Sequence, residues 1–405
     1  MRKIQAALFL AAALLAGCSS VPRSEAPASC APCAACPSCP PATTTGTPTP
    51  PPAFSRSFQP ASWADLPGWV EDDPAAAWPA FLLSCRGMAS RPHGPAWKRV
   101  CDLARAAEGK PGFDARRFFE QNLKPYAVLN GDAGATGMIT GYYEPQLRGS
   151  RQRSKGFEQP VRGVPEDLLT IDLGAVFPEL KDKRVRGRLE GNKVVPYWSR
   201  AEINARGEQL PGKTLLYVDD AVELFFLQVQ GSGRVKLPDG SMVRLNYADQ
   251  NGHPYQSIGR LLVERGELKL EEASMQGIQA WARANPAKLD GLLNANPSYV
   301  FFREVPNSKD GPIGALGVPL TTERSAAIDP RSVPLGTPIF LATTRPNSTQ
   351  PLNRLLMAQD TGGAIKGAVR VDFFWGFGKA AGDMAGKMKQ SGRVWVLWPT
   401  DSAPK

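Results

Sequence analysis

Met357-Ala-Gln-Asp-Thr-Gly-Gly-Ala-Ile-Lys-Gly-Ala-Val-Arg-Val-Asp372 sets two carboxylates into an apolar, glycine-turned run where surface charge is unexpected. Leu355, Leu356 and Met357 lead in as a strand, Gly362 and Gly363 permit a tight turn, and Val369 to Trp375 resumes a β-prone run. Asp360 therefore closes one strand and Asp372 sits inside the next. Burial among apolar and aromatic neighbours disfavours the anion and raises the carboxyl pKa, which suits a general acid. The same residues also fit a structural arrangement, an Asx-type turn at Asp360 and an ion pair between Asp372 and Arg370.

Upstream, Ile328-Asp-Pro-Arg-Ser-Val-Pro-Leu-Gly-Thr-Pro-Ile-Phe340 adds a third aspartate, Asp329, and shapes a turn before a strand from Thr337 to Ala342. Helical spacing of Trp78, Phe81, Leu82, Val100 and Leu103 predicts helices over Pro74 to Arg86 and Lys98 to Ala107, with Asp114 capping a third through Phe118 to Leu123. Beyond Tyr143 the pattern turns to short strands, at Thr214 to Val218, Val222 to Val229 and Met242 to Leu245. Helices return at Ser257 to Glu264 and Glu272 to Asn285, and strands run from Tyr299 to the end, including Arg393 to Trp398.

Met1-Arg-Lys3 and the apolar run Ile4 to Ala16 form a charged n-region and an h-region too short to span as a mature helix, hence an export signal. Its close, Leu15-Ala-Gly-Cys18, looks like a lipobox, which would leave Cys18 as a lipidated N-terminus, and Ser19 resembles outer-membrane sorting. From Ser19 to about Pro60, Pro, Ala, Ser and Thr dominate, a composition with too little apolar surface to fold. Cys30, Cys33, Cys36 and Cys39 recur there every third residue; in an exported tether, local or intermolecular disulfides fit better than a metal clamp. Cys85 and Cys101 lie on two predicted helices and are read either as one disulfide or as two buried thiols.

A net charge of +10 suits an anionic polymer, while the export signal and the lack of a concentrated Lys/Arg stripe argue against nucleic acid. With two histidines in the chain, His93 and His253, a His-based zinc site or Ser-His-Asp triad has no support, so no metal or cofactor is expected and carboxylates carry the chemistry.

Three aspartates in this order, with Pro334-Leu-Gly-Thr337 and Gln359-Asp-Thr-Gly-Gly-Ala-Ile-Lys-Gly367, resemble the 3D domain of bacterial cell-wall proteins, a double-psi β-barrel in its known relatives. Thr140-Gly-Tyr-Tyr-Glu-Pro145, Pro196-Tyr-Trp-Ser-Arg200, Phe226-Leu-Gln-Val-Gln-Gly-Ser-Gly233 and Asn246-Tyr-Ala-Asp-Gln-Asn-Gly-His-Pro-Tyr-Gln-Ser-Ile258 extend the likeness. Together they resemble the membrane-bound lytic transglycosylase A family over about residues 55 to 400. The resemblance implies a mainly β fold with peripheral helices, in which a double-psi barrel is interrupted by a smaller β-rich barrel with a groove between them. Its segments would be a signal peptide at 1–17, a tether at 18–54, a catalytic barrel at 55–147 and 306–400, and an insert at 148–305.

It further implies a transglycosylase acting on peptidoglycan glycan strands from the periplasmic face of the outer membrane, held there through its N-terminal lipid. Cell-wall synthesis or hydrolysis proteins stand as candidate partners. By position Asp372 is the acid and later base, with Asp360 and Asp329 tuning it as like charges or stabilising the sugar cation. Thr140, Gly141, Tyr142, Tyr143, Trp198, Gln228, Gln230, Ser232, Thr361, Gly362 and Gly363 are expected along the substrate path. Alternation in Leu227-Gln-Val-Gln230 places both glutamines on one strand face. Two alternatives remain: a hydrolase with Glu144 as water-activating base, and a glycan-binding scaffold that does not cut.

Overall fold

The computed structural model describes residues 57–180, 183 and 185–404. The signal segment, Cys18 and the four tether cysteines lie outside the described residues.

The folded part opens with a short strand, β1 (Ser57–Pro60), then three helices, α1 (Pro74–Met88), α2 (Gly94–Ala107) and α3 (Ala115–Asn122). The chain from Ser57 is thus already ordered by pairing with β2 (Leu123–Leu129), so the poorly folding composition ends a few residues before Pro60. Asp73 caps α1 by accepting from the Ala75 N–H at 3.0 Å, with Pro74 in the first turn, where its missing donor costs nothing. Asp114 caps α3 as expected, accepting from the Arg117 N–H. Cys85 and Cys101 form a disulfide joining α1 to α2, with Cα atoms 5.5 Å apart.

β3 (Gly137–Glu144) runs directly into β4 (Gln146–Ser150), and β5 (Gln159–Arg162) follows. β6 (Leu169–Thr170), β7 (Arg186–Glu190) and β8 (Lys193–Pro196) make a separate three-stranded sheet. Then come α4 (Arg200–Arg206), β9 (Thr214–Val218), α5 (Ala221–Gln230), β10 (Ser232–Lys236) and β11 (Met242–Gln250). Helices α6 (Ile258–Glu264), α7 (Met275–Ala284) and α8 (Leu289–Asn294) precede β12 (Val300–Val305). The last stretch holds β13 (Ser325–Ile328), β14 (Pro338–Thr344), β15 (Pro351–Asp360), β16 (Val371–Phe377), α9 (Gly378–Ala385) and β17 (Lys389–Pro399).

Among the described residues, an eight-stranded sheet runs in the order β1-β2-β17-β14-β15-β13-β16-β3, with a further pairing of β17 to β3. A six-stranded sheet, β12-β11-β10-β4-β9-β5, is built from the middle of the chain. The architecture is therefore mainly β with several helices. Helix α1 is fastened to the first sheet by buried Gln359, whose Nε2 donates to Ala80 O at 2.9 Å and Ser84 Oγ at 3.0 Å while its Oε1 accepts from Ser325 Oγ. Trp78, Phe81, Phe118 and Phe119 pack edge-on or tilted around that attachment.

Two expected strands are helices. Val222 to Val229 lies in α5, because Asp220 accepts from the N–H groups of Val222 and Glu223 at 2.7 and 2.9 Å, and Gly231 closes the helix at φ +78°. Its apolar residues are buried on several faces, so alternation carries no information about its secondary structure. Helix α9 interrupts what reads as continuous β-sequence, entered through Gly376 and Gly378, both at positive φ. Gly382 within it lets β3 approach: a Cβ there would lie 2.8 Å from the Tyr143 ring.

Candidate active site

β13 pairs with both β15 and β16, and its Ala327 is opposite Asp360 on one side and Asp372 on the other. Asp372 is in turn opposite Thr140 of β3. Directly opposed residues share a face of the sheet, so Asp360, Ala327, Asp372 and Thr140 form one cross-strand row. Strand spacing puts the two aspartate Cα atoms about 10 Å apart, with a methyl group between them.

Thr140 Oγ1 donates to Asp372 Oδ1 at 2.6 Å. Burial pushes Asp372 up to about 6, against the opposing pull of the Thr140 hydrogen bond and the Arg370 charge; the Asp360 charge adds the smallest share. Desolvation, expected from the apolar run, is therefore the main cause, and the like charge of Asp360 adds least. Arg370 does not form an ion pair with Asp372: its Nη1 donates to the carbonyls of Met138 and Val371, at 3.2 and 2.8 Å.

Asp360 accepts from the Tyr142 hydroxyl at 3.2 Å and the Ala315 N–H at 2.9 Å. Burial, with the charges of Asp360 and Asp372, raises Tyr142 far above a free phenol, so it stays a donor. Asp329 is buried but turned elsewhere. It accepts from Arg331 side-chain nitrogens at 3.0 and 2.7 Å and from the Gly367 N–H at 2.9 Å. Burial opposes ionisation, yet those bonds and the Arg331 charge hold its carboxyl below the ordinary range. It is an anchor for the turn between β15 and β16 and does not touch Asp372. In that turn the left-handed residue is Gly367, at φ +112°, rather than Gly362 or Gly363.

A cavity of about 450 Å³ opens beside the row, lined by Gln228, Gln230, Ser232, Asp360, Thr361 and Arg91 among others. The two glutamines reach it from a helix, so their shared strand face does not exist. Gln230 accepts from the Tyr143 N–H at 3.2 Å, while Gln228 is almost wholly buried. Gly141 backs onto Trp375, whose Nε1 would lie 2.5 Å from an added Cβ.

Two expected sugar platforms are otherwise engaged. Tyr143 is buried against α9 and its hydroxyl donates to Met275 Sδ at 3.2 Å. Trp198 carries the guanidinium groups of Arg188 and Arg206, 3.3 and 3.5 Å from its ring centre. Glu144 does not face Asp372: Arg234 Nε donates to its Oε2 at 2.8 Å and both side chains are buried. Burial raises Glu144 while Arg234 opposes that shift. Ala327 and the Ala315 N–H escaped sequence reasoning, since neither bears functional chemistry; only the strand pairing reveals them. Among the described residues no group of three or more His, Cys, Asp or Glu is placed to hold a metal.

A buried carboxylic acid raised to about 6, in a row beside a polar cavity, can act once as acid and once as base. The family model of the MltA specific insert domain matches residues 138–303, and that of the 3D domain matches 324–398. Membrane-bound lytic murein transglycosylase A of Escherichia coli (strain K12) is 34% identical over 295 residues, 71% of this chain and 73% of that protein. The crystal structure of MltA from Neisseria gonorrhoeae, in its monoclinic form, superposes with a TM-score of 0.76 at 40% identity, covering 89% of this chain and 98% of that one. E. coli MltA with bound chitohexaose superposes at 0.61 and 30% identity, over 82% and 91% of the two chains.

Proposed function

The chain belongs to the membrane-bound lytic murein transglycosylase A family, and on that premise we propose that it cleaves the MurNAc–GlcNAc β-1,4 bond of peptidoglycan with Asp372 as its single acid and base. What supports this reading is the placement of Asp372 within the apolar strand β16, accepting from Thr140 Oγ1: burial raises its carboxyl to about 6, so both forms can serve near neutral pH. The protonated carboxyl gives its proton to the glycosidic oxygen as the bond to the muramyl C1 breaks and GlcNAc leaves. The C6 hydroxyl of the same muramyl ring then attacks C1 and loses its proton to the Asp372 carboxylate. No water is consumed, the acid is regenerated, and the product ends in a 1,6-anhydromuramyl ring. Intramolecular attack gives the nucleophile a high effective concentration.

Thr140 orients the acid, Asp360 with Tyr142 supplies negative charge across the row for the oxocarbenium-like sugar, and Asp329 fixes the turn that carries β16. Gln228, Gln230, Ser232, Thr361, Gly362 and Gly363 border the path of the glycan. The bound chitohexaose of the E. coli relative supports a glycan strand as ligand. A water-activating partner finds no support at Glu144, which is held by Arg234.

The segment division follows the same reading, with a catalytic part at 55–147 and 306–400 and an insert at 148–305. A double-psi barrel for the first rests on the family resemblance; in the sheet order the last strand, β3, pairs back to the interior strand β17. Lipidation at Cys18 would place the enzyme on the periplasmic face of the outer membrane. Mass spectrometry of the products released from sacculi by the full chain in detergent, beside Asp372→Asn, tests the chemistry. Anhydromuropeptides from the wild type and none from the variant are expected; reducing ends would make the enzyme a hydrolase, and binding without products a scaffold.

A further inference from the structure

A second cavity, of about 530 Å³, lies in the middle of the chain between β5, α4, α5, α8 and Tyr299. Its floor holds two guanidinium groups, Arg162 and Arg200, each 5% exposed. Arg200 donates from Nε to Asn296 O at 3.0 Å and from Nη2 to Ser298 O at 2.6 Å, and its Cζ lies 4.7 Å from the Phe225 ring centre and 5.1 Å from that of Tyr299. Arg162 donates to Gly207 O at 2.8 Å, and Tyr299 lines the same cavity beside Arg162 and Gln228.

These contacts fix the planes of the two groups without neutralising them. Among the described residues, neither arginine has a carboxylate partner. Burial accordingly pulls Arg200 down to about 10. A buried cation is costly until an anion reaches it. Beside them Gln228 is 4% exposed, and its Oε1 is buried without a hydrogen-bond partner among the described residues, an acceptor in need of an N–H donor. At the mouth acidic groups outnumber basic ones: Glu158, Glu208 and Asp290 are exposed and line the rim, with Arg153 as the one exposed cation among them. The cavity is therefore sorted by depth, cationic at the floor and net anionic at the entrance.

A ligand matching that order carries a carboxylate at one end, an amide N–H near it and an amine that stays at the surface. We propose that this cavity binds a short peptide by a free carboxylate seated on Arg162 and Arg200, its amine held by the rim carboxylates. Resting on the reading of the chain as a peptidoglycan transglycosylase, the peptide is a stem peptide of the glycan being cut, whose diamino acid sets a carboxylate beside an amine. Gln228 lines both this cavity and the one beside Asp360, so a stem docked here is attached to a strand in the neighbouring cleft. Binding a remote part of the substrate in this way contributes to holding the scissile bond against the acid.

The test titrates the full chain with a free stem tetrapeptide containing the diamino acid, and with the same peptide amidated at its carboxylates, by calorimetry. Saturable binding of the free acid is expected, weakened at least tenfold by amidation, as loss of charge-assisted bonds to arginine requires. Arg162→Gln is expected to weaken the free acid to a similar degree, and Asp290→Asn, on the exposed rim, by a few fold. Absence of saturable binding, or equal binding of acid and amide, would overturn the proposal without recourse to any variant. In parallel, kcat/KM is measured on stem-bearing glycan and on glycan stripped of its stems. The wild type should prefer the stem-bearing strands and Arg162→Gln should lose that preference while cutting stripped strands normally; equal loss on both would make Arg162 merely structural and refute the site. Failure of the wild type to cut either substrate strikes the functional reading alone, since the titration judges the cavity independently of turnover.

Discussion

Asp372→Asn is expected to abolish turnover and, at the same time, to make the protein more stable, by an amount that depends on pH. In the folded chain burial holds this carboxyl at about 6, against 3.8 for an ordinary aspartate. Folding therefore favours the protonated form. The stability this contributes is fully present below pH 3.8, is lost as the pH rises, and is gone above about 6. A tenfold change in proton affinity corresponds to about 1.4 kcal/mol, so ionised Asp372 costs the wild type at most about 3 kcal/mol at pH 8. Because the side chain is part-exposed at the cleft, solvent screening reduces this to about 1–2 kcal/mol. Asparagine keeps the Thr140 hydrogen bond and never ionises, so it escapes the cost. Urea denaturation of both proteins from pH 4 to pH 8 should show the variant's advantage growing through that interval, from near zero to its full value. A variant that is less stable at pH 8, or a difference that does not change with pH, would refute the reasoning by showing that burial does not raise the Asp372 carboxyl.

Three further outcomes follow from the same geometry. The kcat/KM on glycan strands should fall as the pH rises through about 6, because the form that protonates the leaving group is lost; Thr140→Val removes a bond that favours the anion, so its profile should move to higher pH, and an unmoved profile would deny that bond a role. Ala327→Leu, which fills the space between Asp360 and Asp372, should lower kcat/KM at least tenfold while leaving the far-ultraviolet circular dichroism of the folded protein intact; undiminished turnover would show that the substrate does not enter along that row. Arg234→Met strands the buried Glu144 carboxylate and should cost about 3–5 kcal/mol in chemical denaturation, most of it recovered by adding Glu144→Gln, whereas a cost unchanged in the double variant would mean that the pair is not coupled.

Much of the site was legible because its signals are local. An aspartate closing one strand and another inside an apolar strand located the end of β15 and placed β16 to within two residues at each end, and the Asp73, Asp114 and Ser257 caps mark helix starts in the sequence itself. What failed was inference from periodicity where burial is not one-sided. The run Val222 to Val229 is apolar on several faces, and there the capping Asp220 and Gly231 outweigh β-branched composition. The wrong secondary structure then propagated into function, since two glutamines on one strand face are on different sides of a helix.

Residue roles were harder still, because they depend on register between strands far apart in the chain. Thr140 and Asp372 are 232 positions apart, yet their pairing orients the acid and moderates the rise in proton affinity that burial causes. Asp329 shows the converse: it shares a motif and a charge with the other two aspartates, but Arg331, two residues on, claims its carboxylate and turns it to hold the Gly367 turn. Tyr143 and Trp198 likewise look like platforms until their neighbours occupy them. The chemistry of a site is thus set less by which residues a motif contains than by which of them the fold leaves uncompensated. By that criterion Asp372, raised by burial and without an ion-pair partner among the described residues, stands out in the first sheet, and the two arginines beneath α4 and α5, without a carboxylate partner among those residues, stand out in the middle of the chain.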